Sequence, residues 1–283
     1  MKLLTTLLGS LLFTTTITAT IPSRSAQRQQ GRNERRAAQE ITEVNVIKRA
    51  TPSNTQTHWA GAVITASPPG TTFQAVGATF VVPKPSPPTS GAGTWGGSAW
   101  VGIDGYYSEP NALLQAGVSW QVTVSSTGAE TYHYLAWYEW FPDGEFTLPI
   151  TVSAGDTINV WCQTITNLTA YCTVFDVTTG VEITQPIQPE SLIPGPEPPV
   201  LGLSVEWIVE DFNDDTGGMI PFANFNSVTF TNTEAIASNN ATRAWDPVYP
   251  NAGNVVVQVI NQNNQDLTAT TFPGTNEIEV KYI

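Results

Sequence analysis

The sequence predicts an all-β protein, a single sandwich or jelly roll, and three observations carry that expectation. From Trp59 onward, short segments rich in Val, Thr, Ile, Trp, Tyr and Phe are separated by Gly, Pro, Asn and Asp. The helical period of 3.6 is nearly absent from the same stretch. No repeat of solenoid or propeller length occurs, so the segments belong to one domain, residues 50–283.

Taken in order, the expected strands are HWAGAVITA (58–66), TTFQAVGATFVV (71–82), GTWGGSAWVGI (93–103), LLQAGVSWQVTV (113–124) and YHYLAWYEWF (132–141). FTLPITV (146–152), TINVWCQTI (157–165), AYCTVFDV (170–177), SVEWIVEDF (204–212), FNSVTFTN (225–232) and NVVVQVI (254–260) complete the set. Two proline-rich stretches, VPKPSPPTSG (82–91) and QPIQPESLIPGPEPP (185–199), read as surface loops. Cys162 and Cys172, the only cysteines, bracket QTITNLTAY, which reads as a hairpin tip, so a cross-strand disulfide is expected. Asn167 and Asn240 open sequons for N-glycosylation on surface turns.

The N-terminus reads as a targeting signal over residues 1–20, with Lys2, a short apolar core and small residues after it. It is too short and too rich in Thr for a membrane span, and no second long apolar run follows, so a soluble, secreted protein is expected. Residues 21–49 form a basic segment ending in the dibasic pair Lys48-Arg49, which reads as a processing site. Eight of the eleven Lys and Arg residues precede Ala50, whereas twenty-one of the twenty-four acids follow Arg49. The domain therefore carries a formal charge of −18 and its leader +5. Opposite fields attract, so the leader is expected to lie on the domain as an inhibitory propeptide at neutral pH and to leave on acidification. Carboxylates with reference pKa of about 4 repel one another at neutral pH, which places maximal stability in acid. Nucleic acid is not an expected partner, because no basic patch meets phosphates.

The chemistry available is narrow. His58 and His133 are the only histidines, neither in a metal-binding spacing, so no metal and no cofactor are expected. No GxSxG elbow supports a serine hydrolase. Asp215-Thr216-Gly217 spells the aspartic-peptidase tripeptide, but once only and in a polar run, so it reads as a surface turn. What remains is carboxylates in an aromatic setting. Glu139 and Glu206 each directly precede a tryptophan. In a strand, Glu206, Ile208 and Glu210 share one face, and Val205, Trp207 and Val209 the other. A carboxylate mounted beside apolar rings is desolvated, which raises its pKa towards a value useful for proton transfer. Two chemistries fit: a glycosidase pair, Glu139 with Glu206, or one acid/base Glu facing a neutral Gln that holds an oxyanion. A non-catalytic sandwich that stacks sugars on tryptophan is a third reading.

The ordered motifs WAGAV (59–63), WVGIDG (100–105), LLQAGVSW (113–120), AWYEWFPD (136–143) and VEWIVEDF (205–212), followed by FNSVTFTN, resemble those of the fungal glutamic peptidases, the eqolisins. The resemblance implies a concanavalin A-like sandwich of two antiparallel, seven-stranded sheets, bent so that a concave face forms the cleft. It implies a secreted acid endopeptidase acting on protein and peptide substrates without a cofactor. Gln115 and Glu206 match the catalytic pair, Trp59 and Trp100 the cleft tryptophans, and Asp104, Trp137 and Glu139 supporting residues. Ser119 and Leu135 stand where other members often carry Asp. A monomer is the expected state.

Overall fold

The computed structural model describes residues 53–108, 111–189, 198–212, 220–239, 245–250 and 255–283. The signal, the basic segment with Lys48-Arg49, Asn240 and the Asp215–Gly217 turn lie outside them. Among the described residues every regular element is a strand. In chain order these are β1 (Ser53–Gln56), β2 (Trp59–Ile64), β3 (Thr72–Val81), β4 (Gly93–Ile103), β5 (Leu113–Val124), β6 (Glu130–Phe141), β7 (Glu145–Thr147), β8 (Thr157–Thr166) and β9 (Thr169–Asp176). They continue as β10 (Val181–Ile187), β11 (Val205–Glu210), β12 (Ser227–Ser238), β13 (Trp245–Val248), β14 (Val255–Gln262), β15 (Gln265–Asp266), β16 (Thr268–Thr271) and β17 (Ile278–Tyr282).

Two sheets pack face to face, as expected. The first runs β1-β14-β2-β11-β4-β5-β6-β7, with β15 beside β14; the second runs β10-β9-β8-β3-β12-β17-β16, with β13 beside β12. All pairings are antiparallel except β1 with β14. The short strands β13 and β15 extend the two sheets beyond a simple row.

Alternation sets the layers. In β8, Ile158, Val160 and Cys162 are buried while Asn159, Trp161 and Gln163 are partly exposed, as a half-buried strand requires. Strands β2, β4 and β11 are buried on both faces. Their inward residues, such as Ala62, Val101, Trp207 and Val209, join the core between the sheets. Their outward residues join a second apolar cluster of Trp59, Val63, Trp100, Leu113, Trp137, Phe141 and Ile208. Trp207 pins β11 from behind, its indole N–H donating to the Gly77 carbonyl of the opposite sheet at 2.9 Å. Truncating such a buried ring costs about 3–5 kcal/mol, so β11 is fixed before its outward face is considered.

Several sequence boundaries move. The segment expected at 146–152 is a strand only to Thr147, because Pro149 has no N–H to continue the ladder. The strand expected at 225–232 runs on to Ser238 through register shifts at Thr231/Glu234 and Ile236/Ala237. Part of the supposed proline-rich loop is β10, where Pro186 is tolerated because the strand is a sheet edge. Cys162 and Cys172 are directly opposed across β8 and β9 and form the expected disulfide, with Cα atoms 4.1 Å apart.

That crosslink closes a short loop between two core positions. Replacing both cysteines by Ala is expected to lower stability by about 2–4 kcal/mol, read from urea unfolding at acid pH, with the native sheet signature retained in circular dichroism.

Candidate active site

The outward face of the first sheet is a grid set by register. One row holds Glu139, Gln115, Gly102, Glu206 and Val63, directly opposed across β6, β5, β4, β11 and β2. Directly opposed residues share a face, so Gln115 and Glu206 point the same way from the two strands flanking β4. Two strand spacings separate their backbones by about 10 Å, and Gly102 lies between. A Cβ at Gly102 would stand 2.7 Å from Leu113 Cδ1, 3.0 Å from Trp100 Cζ3 and 3.2 Å from Glu206 Oε1. The Glu206 carboxylate therefore reaches over Gly102, between a leucine methyl and a tryptophan ring. Glycine is what lets the Glu206 carboxylate lie over β4 on the side of Gln115.

Gln115 is held from its other side. Its Nε2 donates to Glu139 Oε2, while its Oε1 has no partner among the described residues. An amide NH₂ has two hydrogens, so Glu139 takes one and the second is directed elsewhere. Gln115, Glu139 and Glu206 are all fully buried in the full-length chain.

The next row holds Trp137, Gly117, Trp100 and Ile208. A Cβ at Gly117 would meet Trp100 Cβ at 2.5 Å and the Ala99 carbonyl at 2.2 Å, so only glycine lets β4 approach β5 this closely at Trp100. The Trp100 indole donates to Glu210 Oε2 at 2.8 Å and meets the Trp59 ring edge-on, with centroids 5.0 Å apart. Glu210, whose role the sequence left at structural or electrostatic, thus orients the Trp100 ring. The available signal was its spacing of four from Glu206, which in a strand means the same face.

Asp104 does not line this face. It sits in the left-handed region at φ 67°, just past β4, and accepts N–H bonds from Leu201 (2.5 Å), Gly202 (3.0 Å), Leu203 (2.6 Å) and Ser204 (3.4 Å). Its own N–H donates to the Ser204 carbonyl at 2.9 Å. The chain is thereby clamped two residues before Glu206. Burial pushes the Asp104 carboxyl above its ordinary value, against the pull of those four donors.

At the far end of β11, Asp211 exchanges backbone bonds with His58: its N–H donates to the His58 carbonyl at 2.8 Å, and His58 Nδ1 donates to its carbonyl at 2.9 Å. Gln262 Nε2 donates to Asp211 Oδ2 at 2.6 Å. Burial drives the Asp211 carboxyl well above the ordinary range; the Gln262 bond opposes this and the Glu210 charge adds to it.

The glycosidase pairing of Glu139 with Glu206 is not favoured by this geometry. Three strand spacings, about 14 Å of backbone, separate them, and Gln115 stands between. A retaining pair needs carboxyls about 5 Å apart. Among the described residues no group of three His, Cys, Asp or Glu side chains is placed to hold a metal ion.

A sandwich with a buried carboxylate and amide facing each other over a glycine defines a hydrolase class, and comparison with known proteins gives the family. The chain belongs to the Peptidase A4 family, which it matches over residues 57–282. It is 31% identical over 311 residues to aspergillopepsin-2 of Aspergillus niger, covering the whole of both chains. It is 32% identical to scytalidopepsin B of Scytalidium lignicola, covering 88% of this chain and 86% of that one. Among solved structures, scytalido-glutamic peptidase with a transition state analog inhibitor superposes with a TM-score of 0.62 at 28% identity, covering 80% of this chain and 98% of that one. Aspergilloglutamic peptidase from Aspergillus niger gives 0.55 at 34% identity, covering 67% and 99%. The resemblance to glutamic peptidases read from the motifs is borne out, and the chain is a peptide hydrolase.

The folded-state pKa of Asp211 lies above the unfolded value of about 4, so its contribution to stability is complete below that pH and lost as pH rises through the folded pKa. The melting temperature is expected to fall between pH 3 and pH 7. In Asp211→Asn, which keeps an acceptor for Gln262, that fall should be smaller; a melting curve with unchanged pH dependence would remove Asp211 from the account.

Proposed function

We propose that the protein is a secreted acid endopeptidase in which Glu206 and Gln115 form the catalytic dyad. The observation that carries this reading is the single row Gln115–Gly102–Glu206 on a rigid sheet. Glu206 as carboxylate takes a proton from a water seated over Gly102, and the water oxygen attacks the peptide carbonyl carbon. The C=O electrons move onto oxygen, and the second Nε2 hydrogen of Gln115 donates to that oxyanion. Glu206, now protonated, delivers its proton to the amide nitrogen; the C–N bond breaks and the carboxylate is regenerated. Glu139 holds the Gln115 amide in the orientation this requires. Gln115 Oε1, with no partner among the described residues, is free to accept from the attacking water. A glutamine suits acid conditions because its donor does not titrate.

The domain's charge supports the acid setting: three basic residues against twenty-one acidic ones after Arg49. Precursor processing is supported by two observations. The Peptidase A4 match begins at residue 57, downstream of Lys48-Arg49. The eight basic residues before Ala50, against the domain's excess of acids, suit the leader to bind that domain as its inhibitor. On this reading residues 1–20 are the secretion signal, residues 21–49 the propeptide, and the mature enzyme a monomer that binds protein and peptide substrates. Asn167, exposed between β8 and β9, is the glycan site among the described residues.

Hydrolysis of an unfolded protein at about pH 3 tests the dyad. The acid-treated wild type should be active, and Gln115→Ala and Glu206→Gln should each lose on the order of 10²–10⁴-fold in rate. Glu139→Gln should lose less, with kcat reduced more than KM. Activity persisting in Gln115→Ala would refute the mechanism.

A further inference from the structure

Two rows beyond the dyad, the same face holds Leu135, Ser119, Ser98, Glu210 and Trp59, directly opposed across five strands. Ser98 and Ser119 face each other across β4 and β5, and both are buried, 0% and 2% exposed. Neither hydroxyl has a hydrogen-bond partner among the described residues. A buried hydroxyl without a partner is destabilising relative to alanine at the same position. Elsewhere on these strands the chain uses alanine for a small buried residue: Ala99 and Ala116, which face the core between the sheets. Packing alone therefore does not account for serine on the outward side.

We propose that Ser98 and Ser119 form a substrate subsite that recognises an uncharged hydrogen-bonding side chain, of the Ser, Thr, Asn or Gln class. The inference rests on the peptidase reading given above. Each hydroxyl both donates and accepts, so the pair matches a group that does the same. The described lysines lie away from this row, Lys84 over the Tyr132 ring and Lys281 beside Glu279, and His133 stands one row further along β6. The carboxylate in the row, Glu210, is engaged by the Trp100 indole. Ser119 lies four residues along β5 from Gln115, about 13 Å. An extended peptide advances about 3.3–3.6 Å per residue, so the recognised side chain sits about four residues from the bond cleaved when substrate follows the strands.

The test is a peptide series cleaved at about pH 3 by the acid-treated full-length chain and by a Ser98→Ala/Ser119→Ala variant. Each position up to four residues on either side of the cleaved bond is varied among Ser, Asn, Ala and Lys. The wild type should favour Ser or Asn at one outer position by roughly tenfold in kcat/KM over Ala and Lys. The variant should lose that preference, cleave the Ala peptide at the wild-type rate and melt at the same temperature or higher. An unchanged preference in the variant, or none in the wild type, would overturn the subsite. A variant that melts several degrees lower would assign the hydroxyls a structural role and overturn it equally. Wild-type cleavage of no peptide at all would instead sink the peptidase reading on which the subsite rests.

Discussion

The structure depends on strand register in the first sheet. Side chains alternate with a period of two, so a one-residue slip of β4 against β5 or β11 would send Gln115 or Glu206 to the other face. Two anchors behind and beside the site prevent this. Trp207 reaches through the core to the Gly77 carbonyl, and Asp104 gathers four N–H groups of the segment entering β11. Neither stands in the row that holds Gln115 and Glu206. Both determine where Glu206 stands, and placement within fractions of an ångström is worth orders of magnitude in rate.

Two-sided burial is the second constraint. Strands β2, β4 and β11 have apolar packing on both faces, and the outward face consists of tryptophans, leucine and isoleucine around a few polar groups. Such surroundings favour uncharged forms, and the shifts at Asp104 and Asp211 run in that direction. With few cations in the domain, acid rather than ion pairing keeps its carboxyls compatible with the fold. The pair Lys281 with Glu279 lies at the surface, where it contributes little.

Much of this was legible in the sequence. Alternation in SVEWIVEDF separated Glu206 and Glu210 from Val205, Trp207 and Val209, and the structure keeps that division. Ordered motifs brought Gln115, Trp59 and Trp100 into the same reading. Register was not legible, because which strands flank β11 is decided by tertiary packing and leaves no local mark. For that reason the reach of Glu206 over Gly102, the hold of Glu210 on Trp100 and the clamp at Asp104 emerge only from the assembled sheet. Pro186 concealed β10, since proline argues against a strand except at an edge. The strands β16 and β17 carried too few residues each to stand out from the surrounding turns.

The central claim is that Glu206 and Gln115, set in one row across Gly102, carry the reaction. The most direct measurement is the kcat of Gly102→Ala on a protein substrate at about pH 3, with its melting temperature taken in the same buffer. The nearest obstacle to the new methyl is the end of the Leu113 side chain, which yields, whereas Glu206 Oε1 is crowded on the side that faces Gln115. The account predicts a loss on the order of 100-fold in kcat with the melting temperature essentially unchanged. A folded Gly102→Ala enzyme working at close to the wild-type rate would contradict it.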